Sequence, residues 1–380
     1  MSAPIYLDYQ ATSPIAPEVA EAMRPWIDAN FGNPHSSHRL GREAAAAVEV
    51  ARERVMAALA GTVTGNCPQG RLYFTSGATE AANWALKGAA ARLPEGKRRI
   101  VTLATEHACV LDTVEWLAGQ GFEVELLAVG LDGLVDLDLL RKRVAGAGLV
   151  AAMLVNNEIG VVQPVGEIGR IAREAGALFF CDAVQGLGRV PLPLDSCDMV
   201  AVSAHKVHGP KGIGALWIRE GVPLEPLLHG GGQEGGLRSG TLSPALCVGF
   251  GEAASLLLER RGADSAHVER LWERAWRVMG PWTLNGSREH RYRGNLNIRR
   301  DGVDAARLIS ELRALAFSAG SACASGSGRP SHVLTALGLS EREARSSIRI
   351  GFGRYTTEKQ LTDALELIAG HALLQLDLAS

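Results

Sequence analysis

The chain has 380 residues, 47% hydrophobic and 21% charged, with 39 basic side chains against 41 acidic ones and a net charge of −2. That balance excludes a basic nucleic-acid binder and a disordered polar chain, and the length suffices for two hydrophobic cores. No apolar run reaches the length of a membrane span, no basic-then-apolar leader opens the chain, and the six cysteines form no CxxC pair. Neither a metal site nor a disulfide framework is expected, and a reducing cytoplasm is the expected location.

In chain order, short apolar β-type runs are predicted at 71–75, 99–104, 123–128, 149–155, 178–181, 199–202 and 215–218. Helix-like stretches at 80–92, 110–119 and 165–174 lie between several of them. Strands without polar alternation, separated by helices, imply a mainly parallel sheet covered on both faces. A long helix is predicted from 244 to 279. Beyond it come a strand at 295–298, a helix near 303–312, a Gly/Ser loop at 318–328, a strand at 347–350 and a closing helix. This reads as an α/β chain with a large domain over 15–256 and a smaller α+β domain built from 1–14 and 257–380.

The segment Ser203-Ala-His-Lys-Val-His-Gly-Pro-Lys-Gly-Ile-Gly-Ala215 follows an apolar strand. A lysine placed at a strand exit suits an amine that forms a Schiff base with an aldehyde cofactor. Taken alone, Lys206 is equally a solvated turn residue, with Ser203 and His205 as ordinary neighbours. Asp182 ends the preceding apolar run, where open α/β sheets place ligands. It can pair with a protonated pyridine nitrogen, although a helix-capping aspartate is the common alternative. Upstream, Phe74-Thr-Ser-Gly-Ala-Thr-Glu80 is a strand, a small-residue turn and a helix start, a place where backbone N–H groups favour a phosphate. An ordinary capped helix fits that stretch too. Dinucleotide-fold and P-loop glycine signatures are absent.

The chain resembles the NifS/IscS-type cysteine desulfurases of the class V aminotransferase superfamily. The resemblance runs from Tyr6-Leu-Asp-Tyr-Gln-Ala-Thr12 to Ser347-Ile-Arg-Ile-Gly-Phe-Gly-Arg354. Between them lie Phe31-Gly-Asn-Pro34, Thr75-Ser-Gly-Ala-Thr-Glu80, Thr105-Glu-His107, Val155-Asn-Asn-Glu-Ile-Gly160, Asp182-Ala-Val-Gln185, His205-Lys206, Arg238-Ser-Gly-Thr241 and Gly320-Ser-Ala-Cys323. It implies the aspartate-aminotransferase-like fold (fold type I) and pyridoxal 5′-phosphate as cofactor. Lys206 then resembles the Schiff-base lysine, Asp182 the partner of the pyridine nitrogen, and His107 the imidazole stacked on the ring, with a proton-shuttle role. Gln185 matches the partner of the 3′ oxygen. Ala78 (through its backbone), Thr79, Ser203 and His205 match phosphate positions. Thr241 matches a phosphate ligand supplied by the neighbouring subunit, which implies a homodimer. Asn157 and Arg349 match the pair that holds the substrate carboxylate, a task suited to a planar guanidinium. Asn33 has supporting status only.

Cys323 lies in Phe317-Ser-Ala-Gly-Ser-Ala-Cys-Ala-Ser-Gly-Ser-Gly328, a stretch nearly free of bulky side chains, which suits an accessible nucleophile better than a packed thiol. Cys67, Cys109, Cys181, Cys197 and Cys247 read as structural. The implied activity converts L-cysteine to L-alanine, with sulfur held as a Cys323 persulfide and passed to an acceptor protein for iron–sulfur clusters or other sulfur-containing cofactors. A selenocysteine lyase or related C–S lyase is the alternative on the same scaffold. The spacing from Cys323 to Arg349 resembles the subgroup with a long active-site loop. Ala204, Ala319 and Gly351 depart from the residues common in the family, and none removes a catalytic group. The sequence ends one helix after Arg354, without the longer tail of members that dock an iron–sulfur scaffold, so such docking is not expected.

Overall fold

A computed structural model describes residues 4–61, 69–319 and 331–377. Cys67 and the predicted nucleophile Cys323 lie outside the described residues. The chain opens with strand β1 (Ile5–Tyr6) and helices α1 (Pro17–Asp28) and α2 (Arg39–Ala60). Seven strands follow: β2 (Gly70–Thr75), β3 (Arg99–Leu103), β4 (Glu123–Leu127), β5 (Leu149–Met153), β6 (Leu178–Asp182), β7 (Met199–Ser203) and β8 (Gly214–Arg219). They form one sheet in the order β2-β8-β7-β6-β5-β3-β4. Only β8 runs against its neighbours, so the sheet is mainly parallel, as the apolar runs imply.

Helices α3 (Ala78–Ala90), α4 (Ala108–Gly119), α5 (Leu137–Arg143) and α6 (Val165–Glu174) connect the strands. Every residue of β5 and β7 is buried, because both sheet faces are covered. Successive side chains alternate between two cores. Phe179, Val200 and Val202 pack with α2 and α6 on one face. Phe180, Met199 and Ala201 pack with α3 and α4 on the other. Chain order reverses around β3, which lies between β4 and β5, and this opens a crevice at the carboxyl ends of the parallel strands.

Helix α7 (Pro244–Met279) starts at a Ser243 cap, with Pro244 in its first turn. Its first half packs Cys247, Phe250, Ala254 and Leu257 against the large sheet. Its second half places Leu271, Trp272, Ala275 and Met279 in a separate core. That core also takes up strands β9 (Thr283–Leu284), β10 (Asn295–Arg299), β11 (Leu315–Ala316), β12 (Ser318–Ala319) and β13 (Ser347–Gly351). Of these, β12-β13-β10-β9 form an antiparallel sheet, and β11 pairs in parallel with β1. Helices α8 (Ala305–Glu311), α9 (His332–Ala336), α10 (Glu341–Arg345) and α11 (Glu358–Asp377) complete the described chain. No helix among the described residues is long and apolar enough to cross a membrane.

The elements coincide with the sequence expectations to within a residue or two through most of the sheet. The run at 149–155 ends as a strand at Met153, because the chain then turns into the Asn156 loop, where the Asn156 carboxamide accepts the N–H groups of Glu158 and Ile159.

Candidate active site

The carboxyl ends of β3, β5, β6 and β7 and the start of α3 enclose a cavity of about 620 Å³. Ala78, Thr79, His107, Asn157, Asp182, Gln185, Ser203, His205, Lys206 and Arg349 all line it. Residues distant in sequence therefore converge on one space. Thr241 is exposed and Asn33 does not line the cavity.

Lys206 ends a 3-10 turn directly after β7, the shortest route from a buried strand to the crevice. Its Nζ donates to the carbonyl oxygens of Gln10 at 2.6 Å and Ala11 at 2.8 Å. Burial, with Arg189 and Arg349 nearby, pulls its pKa down to about 8. An amine so placed is a far better nucleophile and base at neutral pH than an exposed lysine.

Asp182 is the last residue of β6 and only 6% exposed. One carboxylate oxygen accepts the Val184 N–H at 3.0 Å, so the capping alternative is met in part. Burial pushes its pKa upward. A buried carboxylate on the cavity wall needs a cation, and a protonated ring nitrogen is one. His107 caps α4, its Nδ1 accepting the Cys109 N–H at 3.1 Å, which leaves the proton of the neutral imidazole on Nε2. Burial lowers its pKa, so it stays neutral.

The start of α3 fits a phosphate. Its cap, Gly77, provides no side-chain hydrogen bond to the first turn. A Cβ at Gly214 would lie 2.7 Å from the Gly77 carbonyl carbon and 2.9 Å from the Ala78 nitrogen, so a glycine there lets β8 pass directly beneath the cradle. Glu80 accepts the Ser76 N–H at 2.8 Å and pairs with Arg238 Nε at 2.7 Å. These bonds brace the cradle against the loop that carries Thr241. His205 Nδ1 lies 3.1 Å from Thr12 Oγ1, and burial followed by the charge of Lys206 lowers its pKa to about 4.

Arg349 is 1% exposed, which rules out a surface role. Its Nη1 donates to the Asn157 carbonyl at 3.1 Å and its Nη2 to Asp8 Oδ1 at 2.7 Å, while Nε is buried without a partner. Unspent donors on a fixed fork suit a ligand carboxylate.

Sequence reasoning assigned no role to several neighbours. Asp8 holds Arg349; it stood inside a quoted motif, as an acidic residue beside an apolar strand. Arg189 donates to Gln185 Oε1 at 2.5 Å and to the Lys206 carbonyl at 2.6 Å. Glu106 is fully buried, accepts the Met153 N–H at 2.8 Å, and has its pKa raised to about 8 by burial and by Asp182. Cys109, read from sequence as structural, lines the cavity, but burial drives its thiol well above the ordinary range, so it is not a thiolate.

The model of the class-V aminotransferase family matches residues 5–364. The chain belongs to that family. It is 44% identical over 375 residues to the cysteine desulfurase IscS of Rickettsia bellii, covering 96% of this chain and 90% of that protein. The cysteine desulfurase IscS of Rickettsia felis is 45% identical over 375 residues, covering 96% of this chain and 90% of that protein. Among solved structures, a NifS-like protein superimposes with a TM-score of 0.89 at 34% identity, covering 98% of this chain and all of that one. The structure described as SspA in complex with cysteine gives 0.81 at 36% identity, covering 93% of this chain and 99% of that one. The fold is therefore that of the pyridoxal-phosphate-dependent relatives of this family, and the cavity residues fit that cofactor.

Proposed function

We infer that the protein is a pyridoxal-phosphate-dependent cysteine desulfurase. It converts L-cysteine and the Cys323 thiol into L-alanine and a Cys323 persulfide. The observation that carries this reading is Lys206, a buried amine in one cavity with Asp182, His107 and Arg349, in a chain closely similar to named desulfurases. When bound, the cofactor supplies an electron sink that makes the Cα proton of an amino acid acidic.

This chain's residues do the rest. The start of α3, with Ala78, Thr79, Ser203 and His205, holds the phosphate, and Thr241 of a second copy completes that site in a homodimer. Asp182 would hold the ring nitrogen, Gln185 the 3′ oxygen, and His107 would lie against the ring. Arg349 and Asn157 hold the substrate carboxylate. The freed Lys206 amine removes the Cα proton, and the Cys323 thiolate attacks the substrate sulfur, breaking its bond to carbon. His107, neutral with a proton on Nε2, moves a proton at sulfur. An acceptor protein then receives the persulfide sulfur.

The division at 15–256 against 1–14 with 257–380 belongs to the same reading, supported by two cores that share α7. So does a reducing cytoplasm, supported by the free thiols of Cys109, Cys181, Cys197 and Cys247. A brief pulse of L-cysteine without reductant tests the central step: the peptide containing Cys323 gains the mass of one sulfur atom, removable by a thiol. Sulfur on Cys109, or on no peptide, would overturn it.

A further inference from the structure

Gln10 lines the cavity yet is only 2% exposed, and both its main chain and its side chain are committed. Its carbonyl oxygen accepts Lys206 Nζ at 2.6 Å and Gln185 Nε2 at 2.8 Å, and the next carbonyl, of Ala11, accepts Lys206 Nζ at 2.8 Å. Its own Nε2 donates to the Gly294 carbonyl at 2.9 Å, while Oε1 is buried without a partner. Directly against that oxygen is Gly351, the last residue of β13. A Cβ there would lie 1.8 Å from Gln10 Oε1 and 2.8 Å from the Tyr9 nitrogen. The Gln10 carboxamide thus fills the place of a side chain at 351. Gly351 also donates its N–H to the Leu7 carbonyl at 2.7 Å, so residues 7–11 follow the end of β13 and finish on the lysine.

We propose that the carbonyls of Gln10 and Ala11 are the resting cradle of the Lys206 amine whenever it is not joined to the cofactor, and that Gln10, wedged on Gly351, is the positioning residue that holds this cradle. The proposal rests on the reading of Lys206 as the cofactor lysine. An amine displaced by substrate has to stay close and then accept the Cα proton. Once protonated in a buried site it needs acceptors, and two fixed carbonyls supply them in direct contact, with the charges of Asp8 and Asp182 acting from further away. The wedge matters because a main-chain carbonyl keeps its direction only while its peptide plane is fixed. Here that plane is fixed by a side chain trapped between Gly294 and Gly351.

The test uses apoprotein taking up pyridoxal 5′-phosphate across a pH series. Uptake is followed by visible absorbance, fixed with borohydride and mapped by peptide mass. Attack on the aldehyde requires the neutral amine, so uptake in the unaltered protein rises through a midpoint near pH 8. Gly351→Ala displaces the Gln10 carboxamide and weakens the cradle that favours the charged amine. Its midpoint falls by roughly one pH unit, which makes uptake at pH 7 about fivefold faster. Gln10→Ala lowers the midpoint as well, and in that background Gly351→Ala adds a smaller shift, because the carboxamide it would displace is gone and only the Tyr9 nitrogen still crowds the new methyl group. Gln10→Ala alone carries the test where Gly351→Ala does not fold. Midpoints within about 0.2 unit of the unaltered protein, or an equal Gly351→Ala shift in both backgrounds, would overturn the cradle. Attachment mapped to Lys211 instead of Lys206 would overturn the functional reading itself.

Discussion

Asp8 and Arg349 meet across 2.7 Å, joining the segment after the first strand to the last strand of the smaller sheet. The arginine is 1% exposed and Asp8 is its direct ion-pair partner, with the Glu158 carboxyl also close enough to feel its charge. Removing one member of a buried pair costs far more than the pair contributes, because the other charge stays behind. Asp8→Ala is expected to lower stability by about 2–3 kcal/mol in denaturant unfolding. If Arg349 holds the substrate carboxylate as proposed, Asp8→Ala also loosens its fork and raises KM for L-cysteine about tenfold with a smaller change in kcat. An unchanged KM would show that Arg349 does not depend on Asp8 for its position.

Lys206 and Lys211 both line the cavity, and only Lys206 is held by the carbonyls of residues 10 and 11. The purified protein is expected to be yellow, and Lys206→Ala to abolish that absorption. Lys211→Ala should leave it in place. Absorption spectra of the two variants decide between the lysines.

Acid should weaken the fold through buried histidines. His208 Nδ1 donates to the Pro14 carbonyl at 2.9 Å, and burial, then Arg354, depresses its pKa from 6.5 to about 4. A histidine depressed on folding binds fewer protons folded than unfolded between these values. Its contribution is fully present above pH 6.5 and is lost as pH falls toward 4, by at most about 3 kcal/mol. His208→Asn, which suits the left-handed backbone at φ 67, should flatten this fall in Tm. An unaltered slope would remove His208 from the explanation.

Much of this was legible in the sequence, for identifiable reasons. The central strands are buried on both faces and so read as unbroken apolar runs, and α7 carries its own start signals in Ser243 and Pro244. The site residues sit at strand ends and in motifs, where type and order carry information. Two-residue strands such as β9, β11 and β12 carry no period to read. Contacts such as Asp8 with Arg349, or Gln10 with Lys206, are set by the packing of segments far apart in the chain. Gly351, a departure from the family in sequence, has its explanation in the Gln10 carboxamide beside it. That Cys109 lines the cavity was not legible, because nothing local reveals that the first turn of α4 faces it.

Thr241 is exposed in the single chain, while its loop is tied to the phosphate cradle through Arg238 and Glu80. The active species is expected to sediment as a dimer. Thr241→Ala should weaken retention of the cofactor by roughly tenfold on dilution, the loss of one hydrogen bond to a charged group. An active monomer at assay concentration would contradict the shared site.

The most direct test of the central claim is alanine release from L-cysteine in the presence of a reducing thiol, compared between the unaltered protein and Cys323→Ala. The account predicts alanine and sulfide in equal amounts from the former. Cys323→Ala stays yellow and binds L-cysteine, since Lys206, Asp182, Asn157 and Arg349 are intact, but releases no alanine, because removing the nucleophile closes the covalent route. Near-normal alanine release from Cys323→Ala would contradict the account even with the cofactor site confirmed.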